Sequence, residues 1–404
     1  MISDPPRSDA RTRACRPPFV ASDSRLASSL LASEGRAIDN RGILHERCCN
    51  PSHSEPGRVD AVVEAAHAGH AVPFGHNMIR TPPEIDAPDS TWNRLAARTL
   101  QGDPFCCRSE WPLSIQQVFF PKRPLHLRES GSGFLALAER RYRGLGPTLE
   151  PLDSLWLFGS PLIGPGAPDL LEAFLAERAS QGLSANLVLS GVLPDQPLRE
   201  RILRSFHARY EIYRARTVVV CSASLEGGLE GFLARRSALF RKRLRQAARR
   251  AGERGLRFER VSARSPSQSD ATFRRMLAVE RTSWKGLEDN GITDPQSTRF
   301  YRALSRRLTV AAAGRVVFAC VDGRDVGFIF GGVADGVYRG QQFSYADDWH
   351  EASIGNLLQQ EQIRWLEEDG ILRYDMGPMM DYKRHWTERE ITMHVLLLRP
   401  KSRR

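Results

Sequence analysis

The alternation of apolar and polar residues in the C-terminal part of the chain predicts a run of strands. Asp322-Gly323 and Asp335-Gly336 each lie between two alternating stretches. Such Asp-Gly pairs are a strong hairpin signal because both turn residues tolerate positive φ. The pattern therefore predicts three antiparallel strands, at 315–321, 326–333 and 337–345.

A helix and one further strand are predicted to follow. Ser353 is a candidate N-cap for this helix, and Gly370 is a stop signal at its other end. Between them, apolar residues recur at helical spacing, at Ile354, Leu357, Leu358, Trp365 and Leu366. The apolar stretch 371–376 comes directly after Gly370 and predicts a strand.

An earlier part of the chain shows the same succession of elements. Strand-like stretches lie on both sides of a Gly-Ser turn, and a helix that ends at Gly182 follows them. The predicted strands are 124–128, 133–138, 155–158 and 185–192, and the predicted helix is 169–180. The sequence therefore predicts a duplicated α/β unit, in which each half has antiparallel strands, a helix and a final strand.

The segment 232–260 between the two halves is predicted to be helical and strongly basic. One helical face is apolar, through Leu233, Phe240, Leu244, Ala247 and Ala251. Glu253 is almost the only acid among ten basic residues, which are Arg235, Arg236, Arg241, Lys242, Arg243, Arg245, Arg249, Arg250, Arg254 and Arg257. Two interpretations stay open: a solvated helix face, or a docking surface for a phosphate-rich donor or an acidic carrier.

Length and composition are those of a globular protein with two domains. A chain of 404 residues accommodates two domains of ordinary size, and its hydrophobic fraction of 41% is typical of a folded protein. The formal net charge of +11 favours polyanionic partners or phosphorylated ligands. Residues 1–85 are rich in Ser, Pro, Arg, Asp and His, with only a weak helical patch at 59–68, so we expect a mostly disordered extension.

The cysteines and histidines do not form a pattern of metal ligands. Cys48-Cys49 and Cys106-Cys107 are adjacent pairs, and no two cysteines have C-x-x-C spacing. The N-terminal histidines, at His45, His53, His67 and His70, fit no metal site either. We therefore expect no metal. The sequence also contains no signal-peptide pattern and no apolar stretch of membrane-spanning length, which predicts a cytoplasmic location.

Four segments of the chain resemble the GNAT-fold acyltransferases: 156–162, the basic segment, 280–286 and 342–386. The likeness is to the bacterial branch similar to the acetyltransferase associated with cellulose biosynthesis. The Fem-type aminoacyl transferases, which have two such units, are more distantly similar. The resemblance implies an α/β fold with duplicated GNAT-like units, each a mixed, mostly antiparallel sheet flanked by helices, joined by a basic helix. The implied domains are the extension at 1–85, an N-terminal unit at 86–225, and a C-terminal unit at 226–404 that carries the donor site.

The resemblance also implies a donor, with no bound cofactor. In GNAT proteins an acetyl-CoA or acyl-CoA co-substrate places its pyrophosphate at the N-terminus of the helix after the central strand. Free backbone N–H groups and the positive end of the helix dipole favour an anion there. The corresponding residues of this chain are Ser353, Ile354, Gly355, Asn356 and Leu357.

This loop departs from the family pattern at two positions. The family has Gln or Arg three residues before its first glycine, and Gly or Ala two residues after it. Ala352 and Leu357 occupy those positions here. An acyl-carrier protein or another donor therefore stays open beside a CoA thioester.

The candidate catalytic residues lie close to the C-terminus. Lys383 falls where Fem-type enzymes have a Phe-Lys pair, and it would neutralise a substrate phosphate or the developing oxyanion. Asp375 would orient the nucleophile or act as a base, and Tyr345 would be the general acid for the departing thiolate. His385 is a further candidate base. The predicted acceptor-binding residues are Trp284, Lys285, Gln342 and Tyr382.

Three functions therefore remain open. The first is an acyltransferase that acts on a small-molecule or saccharide amine or hydroxyl, with a cell-envelope role implied by the resemblance. The second is an aminoacyl-tRNA-dependent transferase, whose binding would weaken steeply with salt. The third is a non-catalytic GNAT-like module that binds a polyanionic partner through the basic helix.

Overall fold

The computed structural model describes residues 36–38, 44–46, 82–287 and 291–401, the first two segments as backbone only. The helical patch at 59–68 and most of the predicted extension lie outside the described residues. So do His53, His67 and His70, and the side chain of His45. Within the described residues, no helix combines the length and the apolar character needed to cross a membrane.

The described strands form one 14-stranded mixed sheet. They are β1 (Arg36–Ile38), β2 (Leu44–Glu46), β3 (Leu125–Glu129), β4 (Phe134–Tyr142), β5 (Gly146–Pro151), β6 (Leu162–Ile163), β7 (Asn186–Val192), β8 (Tyr210–Ser224), β9 (Arg257–Val261), β10 (Gly314–Val321), β11 (Arg324–Ala334), β12 (Val337–Tyr345), β13 (Arg373–Gly377) and β14 (Arg389–Pro400). The main path is β3-β4-β5-β7-β14-β8-β13-β12-β11-β10-β9, while β6 pairs with β4, and β1 pairs with β2 and β8.

Helices flank this sheet. They are α1 (Pro82–Ile85), α2 (Thr91–Ala97), α3 (Pro104–Cys107), α4 (Glu110–Phe119), α5 (Ala167–Ser180), α6 (Pro197–Phe206), α7 (Gly228–Ala234), α8 (Ala238–Glu253), α9 (Pro266–Arg281), α10 (Trp284–Leu287), α11 (Pro295–Val310) and α12 (Ile354–Glu368). Among the described residues, three short 3-10 helices span Gly291–Thr293, Asp347–Ala352 and Asp381–His385. The α/β fold predicted from the sequence, a mostly antiparallel sheet flanked by helices, is confirmed.

The predicted turns around the C-terminal strands are confirmed in detail. Asp322 and Gly323 have φ values of +49° and +79°, and Asp335 and Gly336 have +52° and +76°. Both hairpins therefore have the paired positive φ angles that Asp-Gly favours. Gly370 has a φ of +70° just after α12, as expected of a glycine that ends a helix.

The same order of strands and helices occurs in both halves of the sheet. In the N-terminal half, antiparallel β3, β4 and β5 are followed by α5 and then by β7, which is parallel to β5. In the C-terminal half, antiparallel β10, β11 and β12 are followed by α12 and then by β13, which is parallel to β12. One predicted strand was wrong. Residues 155–158 form a turn in which Leu157 has a φ of +63°, and the strand of this half is β5 instead.

The predicted basic helix is also shorter than its apolar pattern indicated. Residues 232–260 contain the end of α7, a break, all of α8, and most of the edge strand β9. Ser237 causes the break, because its side chain accepts a hydrogen bond from the N–H of Phe240 and starts a new helix. Gly255, with a φ of +75°, ends the helical part before β9.

The two halves exchange their last strands. β8 follows the N-terminal half along the chain but pairs with β13 of the C-terminal half. β14 ends the C-terminal half but pairs with β7 of the N-terminal half. β8 and β14 also pair with each other along most of their lengths, from Arg389↔Ser222 to Pro400↔Tyr210. The sheet is therefore continuous across both halves.

Candidate functional site

The candidate site lies where β12 and β13 separate. The two parallel strands pair only at Val337↔Arg373, Tyr338↔Tyr374 and Arg339↔Asp375. Just beyond this point the register of β12 against β11 shifts, and Gln341 forms a β-bulge. We call the opening between residues 341–345 and residues 377–383 the cleft.

Gly377 turns the chain away from the sheet at the inner end of the cleft. Its φ is +75°, and a Cβ atom there would lie 2.5 Å from Nη1 of Arg339. The Arg339 side chain is itself fixed, because its Nε donates to Oδ2 of Asp103 at 2.9 Å and both residues are buried. A glycine is therefore required at this turn on two grounds, backbone conformation and space.

The start of α12 faces the cleft through its backbone. The N–H groups of Asn356 and Leu357 donate to the carbonyl oxygen of Ser353. The side chains of Ile354 and Leu357 are buried in the core, with exposures of 0% and 3%. Of the five predicted donor-binding residues, these two therefore have only their backbone available to a donor.

Gly355 lets the helix start approach two aromatic residues of β12. A Cβ atom at Gly355 would lie 3.0 Å from the ring of Phe343 and 3.3 Å from the ring of Tyr345. Asn356 is held by Trp386, whose Nε1 donates to its Oδ1 at 3.1 Å. The helix start is thus attached to both sides of the cleft. Because Gly355 has no side chain, the helix start can pack this closely against Phe343 and Tyr345.

Ser353 has an unusual backbone conformation for a residue with a side chain. Its φ and ψ are +56° and +34°, and its side chain does not cap the helix. A left-handed conformation at a residue other than glycine is uncommon, and such strain is concentrated at functional sites.

Lys383 is buried beside the cleft. Its Nζ donates to the carbonyl oxygen of Pro378 at 2.8 Å and lies 5.7 Å from the ring centre of Tyr382. Burial, and after it the nearby Arg339 guanidinium, lowers the pKa of Lys383 from 10.5 to about 7. This lysine therefore changes charge near neutral pH.

Asp375 lies on the other face of β13. The hydroxyl of Tyr374 donates to Gln359 on α12, so the next side chain along the strand points away from that helix. Asp375 is fully buried and pairs with Arg373 at 2.7 Å. Burial raises the pKa of Asp375, although Arg373 opposes this shift. The structure therefore does not bring Asp375 to the start of α12.

Tyr345 lies on β12 next to the start of α12. Burial, followed by the carboxylate of Asp347, raises the pKa of its phenol. It therefore carries its proton at neutral pH, as a general acid must.

Phe343 connects the predicted acceptor-binding residues to the cleft. Lys285 donates from Nζ to the carbonyl oxygen of Phe343 at 2.7 Å, and burial lowers the pKa of this lysine. The ring of Tyr382 meets the ring of Phe343 edge-on, with ring centres 5.1 Å apart. Gln342 donates from Nε2 to the hydroxyl of Tyr301 at 2.7 Å. Trp284, beside Lys285, is 39% exposed at the rim.

Sequence reasoning missed several residues of the site. Phe343 and Gln341 gave no signal, because their importance comes from a bulge and from ring contacts between distant segments. Arg339 gave a signal that could have been used, since it is a charged residue inside an otherwise apolar strand. Its partner Asp103 could not have been found, because the two are 236 positions apart in the chain.

Within the part of the chain that the structure describes, one group of side chains has the spacing of metal ligands. Glu259, Cys320 and Asp325 place ligand atoms within 4.8 Å of one another. Arg275 pairs with both carboxylates, at 2.5 Å to Glu259 and 2.9 Å to Asp325. A guanidinium therefore already supplies the positive charge that these carboxylates require.

The equivalent helix start in the N-terminal half is covered. The N–H of Gly166, just before α5, donates to the carbonyl oxygen of Ser132 at 2.9 Å. A Cβ atom at Gly133 would lie 2.5 Å from the backbone nitrogen of Ala167. The β3–β4 turn thus lies directly on the start of α5 and occupies the place where a phosphate would bind.

Comparison with known proteins agrees with this geometry. Residues 238–384 match the acetyltransferase (GNAT) domain family, a segment that contains α8, the cleft and Lys383. No curated protein sequence matches the chain significantly.

Several solved structures align with about three-quarters of the chain. FemX has a TM-score of 0.52 at 11% identity, with 78% of this chain and 96% of FemX covered. The C-terminal domain of a putative lysylphosphatidylglycerol synthetase from Agrobacterium fabrum has a TM-score of 0.48 at 14% identity, covering 77% and 91%. A tandem GNAT protein from the clavulanic acid biosynthesis pathway has 0.40 at 16% identity, covering 76% and 91%. Only the likeness to FemX, whose TM-score exceeds 0.5, carries weight, and at 11% identity it concerns the fold alone. The chain is therefore an acyltransferase whose residues 238–384 match the acetyltransferase (GNAT) domain family.

Proposed function

We propose that the protein transfers an acetyl or longer acyl group from a thioester to an amine or hydroxyl in the cleft. The observation that carries this proposal is the meeting of three features at one place: the separation of β12 from β13, the start of α12, and the buried Lys383. The donor site belongs to the C-terminal unit, proposed as residues 226–404. The covered start of α5 supports a structural role for the N-terminal unit, proposed as residues 86–225.

The start of α12 would bind the phosphates of the donor. The first N–H groups of a helix have no partner within it, and the helix dipole favours negative charge there. The N–H groups of Ile354 and Gly355 are the ones that this rule leaves available, because those of Asn356 and Leu357 already bond to Ser353. Ser353 would add its hydroxyl, since that side chain does not cap the helix.

The chemistry proceeds through a tetrahedral intermediate without a covalent enzyme adduct. The acceptor nitrogen or oxygen forms a bond to the thioester carbonyl carbon, whose oxygen becomes negative and is stabilised by the Lys383 ammonium. The carbon–sulfur bond then breaks, and the thiolate takes the phenolic proton of Tyr345. The acceptor's proton leaves to solvent, because Asp375 is buried on the face of β13 away from α12, and Tyr345 regains a proton from solvent.

The acceptor would bind on the Phe343 side of the cleft. Trp284 and Tyr382 offer partly exposed rings there, as sugar or other small-molecule acceptors require, and Lys285 and Gln342 hold the strand in place through their hydrogen bonds. A saccharide of the cell envelope is the acceptor that the resemblance to the cellulose-associated branch favours.

One observation favours a second candidate function. The likeness of fold to FemX is consistent with a two-unit transferase whose donor is an aminoacyl-tRNA. A non-catalytic GNAT-like module would lack donor binding altogether. Donor-dependent stabilisation distinguishes these alternatives.

The test is thermal unfolding of the purified protein with acetyl-CoA, longer acyl-CoAs, free CoA and a charged tRNA. A ligand that binds only the folded state stabilises it by about 2.7 kcal/mol at 100 times its dissociation constant. We expect one thioester to raise Tm, and Gly355→Trp to abolish that shift. Gly131→Trp is the matched control, because nothing lies within 4 Å of the Cβ position there.

Two further variants sharpen the result. Ser353→Asp places a carboxylate at the helix start, which favours the helix but repels a phosphate, so it should remove donor binding from a well-folded protein. Lys383→Ala should keep the Tm shift and lose turnover if the lysine acts on the oxyanion. Stabilisation by the charged tRNA alone would support the aminoacyl-tRNA-dependent transferase instead of the thioester-dependent one. If no donor shifts Tm, the non-catalytic module is the function that remains.

A further inference from the structure

A basic face extends along α8 and the turn that follows it. We define it by its exposed cations, which are Lys242, Arg243, Arg245, Arg249, Arg250, Arg254 and Arg257. Glu253 is the one acid that pairs with any of them in the described part of the chain, at 3.6 Å from Arg249, and both side chains are mostly exposed. An exposed pair of this kind contributes little, so the positive charge of the face is almost uncompensated.

This helix borders the start of α12. Its buried residues Leu244, Ala247 and Ala251 pack with Leu357, in the first turn of α12. At its C-terminal end, the guanidinium of Arg254 lies 3.6 Å from the ring centre of Trp349, in the 3-10 helix just before Ser353. The basic face is therefore the surface next to the proposed donor site.

The other end of α8 borders the opposite side of the cleft. The ring of Phe240 lies 5.3 Å from that of Trp386 and 6.4 Å from that of His385. These residues end the segment that carries Tyr382 and Lys383. A partner bound on α8 would thus lie next to both sides of the cleft.

The face also carries an exposed apolar residue near its N-terminal end. Leu239 is 56% exposed and shares a helical row with Arg243 and Arg250, which follow it by four and eleven residues. Met380, beside the cleft, is 50% exposed. Exposed leucine and methionine favour a protein partner over a nucleic acid, because a protein surface offers apolar area to bury against them and a phosphate backbone does not.

The length of the face favours a partner larger than CoA. A helix of 16 residues spans about 24 Å at 1.5 Å per residue. The phosphates of one CoA molecule lie close together and would meet only one end of this row. Lys383, in contrast, is only 7% exposed, so the reacting group must enter on a slender arm.

We propose that the basic face, with Leu239, docks an acidic acyl-carrier protein that delivers its thioester arm into the cleft. This inference rests on the proposed function, because it assumes that the cleft accepts a thioester. It identifies which donor the site takes and which residues recognise it. Electrostatic attraction of this kind increases the association rate and falls with salt.

The test uses a fluorescently labelled acyl-carrier protein that bears a hexanoyl-phosphopantetheine thioester, with binding measured by anisotropy. We expect binding to the whole chain that weakens at least about tenfold in Arg243→Glu/Arg250→Glu. Lys122→Glu/Arg141→Glu carries the same charge change on exposed residues elsewhere and should bind as the unmodified protein does. Leu239→Ser leaves the charge unchanged and should also weaken binding severalfold.

Parallel measurements separate the competing outcomes. Hexanoyl-CoA should stabilise the unmodified protein and Arg243→Glu/Arg250→Glu equally, because these residues lie outside the cleft. If hexanoyl-CoA binds but the carrier protein does not, or if the two face variants bind the carrier normally, the docking inference is wrong and the proposed function stands. If no thioester binds, the proposed function is wrong, and the docking inference that rests on it is wrong as well. Tighter binding of tRNA or of phosphatidylglycerol vesicles, sensitive to charge reversal but not to Leu239→Ser, would assign the face to that partner instead.

Discussion

At the scale of single residues, the site combines a strained backbone with a buried charge. Ser353 has a left-handed conformation that costs an ordinary residue ~1–2 kcal/mol. Lys383 is a cation placed where burial and a neighbouring guanidinium both oppose its charge. Neither feature helps the chain to fold. Both lie at the cleft, where the proposed reaction would use preorganised groups to stabilise an anionic intermediate.

Ser353→Gly should stabilise the protein. Glycine adopts positive φ without strain, and this gain exceeds its greater loss of backbone entropy, so we expect a net increase of about 0.5–1 kcal/mol in the free energy of unfolding. Denaturant unfolding measures it. Ser353→Val is the counterpart and should destabilise, because a β-branched residue tolerates this conformation least. A glycine variant less stable than the unmodified protein would show that the serine hydroxyl makes a stabilising contact.

Lys383→Met should stabilise the protein more at pH 6 than at pH 9. The pKa of Lys383 is 10.5 in the unfolded chain and about 7 in the fold, so between these values the unfolded state binds the extra proton. Stability of the unmodified protein therefore rises with pH through this range, and the cost of the buried charge is greatest below pH 7. Thermal unfolding at both pH values measures the difference. Lys122→Met, at an exposed lysine, should show no such dependence, and equal gains at both pH values for Lys383→Met would contradict the lowered pKa.

At the scale of elements, the cleft depends on how two parallel strands are made to separate. The bulge at Gln341 ends the pairing on the β12 side, and Gly377 turns β13 away under the Arg339 guanidinium. The hairpins beside it were predictable from Asp-Gly pairs, because a two-residue turn is a local property. The break at Ser237 in the basic segment was not predicted. The helical spacing of apolar residues continues on both sides of Ser237 and hides the N-cap there.

Gly377→Ala should destabilise the protein more than a glycine substitution at an equivalent φ elsewhere. Gly323 has a φ of +79° with nothing within 4 Å of its Cβ position, so Gly323→Ala measures the backbone strain alone, ~1–2 kcal/mol. At Gly377 the new methyl group must also displace Arg339 from Asp103, and disturbing a buried ion pair costs several kcal/mol more. Denaturant unfolding of both variants gives the comparison. Equal losses would mean that Arg339 moves aside without cost.

At the scale of the whole molecule, the two halves form one folding unit. The exchange of β8 and β14 makes each half of the sheet depend on a strand from the other. A single hydrophobic cluster also contains Phe105 and Trp111 from the first half together with Phe300 and Phe318 from the second. The buried pair of Asp103 and Arg339 crosses the same boundary beneath the cleft. The N-terminal unit therefore supports the site although its own helix start is covered.

Residues 226–404 should not fold alone. Without β8, the strand β13 has an unpaired edge, and without β7 the apolar residues of β14 lose one side of their packing. We expect this fragment to be insoluble or to lack a cooperative thermal transition, and to recover both properties when it is produced together with residues 82–225. Circular dichroism and co-purification measure the two outcomes. A monomeric 226–404 fragment with the Tm of the full chain would refute the dependence.

The sequence by itself determined the elements of this protein and the order in which they repeat. Strand alternation, Asp-Gly turns, helix stops at Gly182 and Gly370, and the identity of the α12 start are all local, so each is encoded within a few neighbouring residues. Lys383 and Tyr345 could also be singled out from the sequence, because they stand next to motifs that resemble a known fold.

Only the tertiary structure decided which of these residues meet. Phe343 contacts both Lys285 and Tyr382, and Arg339 of the second half pairs with Asp103 of the first. Asp375 lies on the face of β13 away from α12. The exchange of β8 and β14 is likewise invisible in the sequence, since either partner would satisfy the same apolar pattern. Such contacts join segments far apart in the chain, and their energies depend on burial and geometry that no local pattern contains.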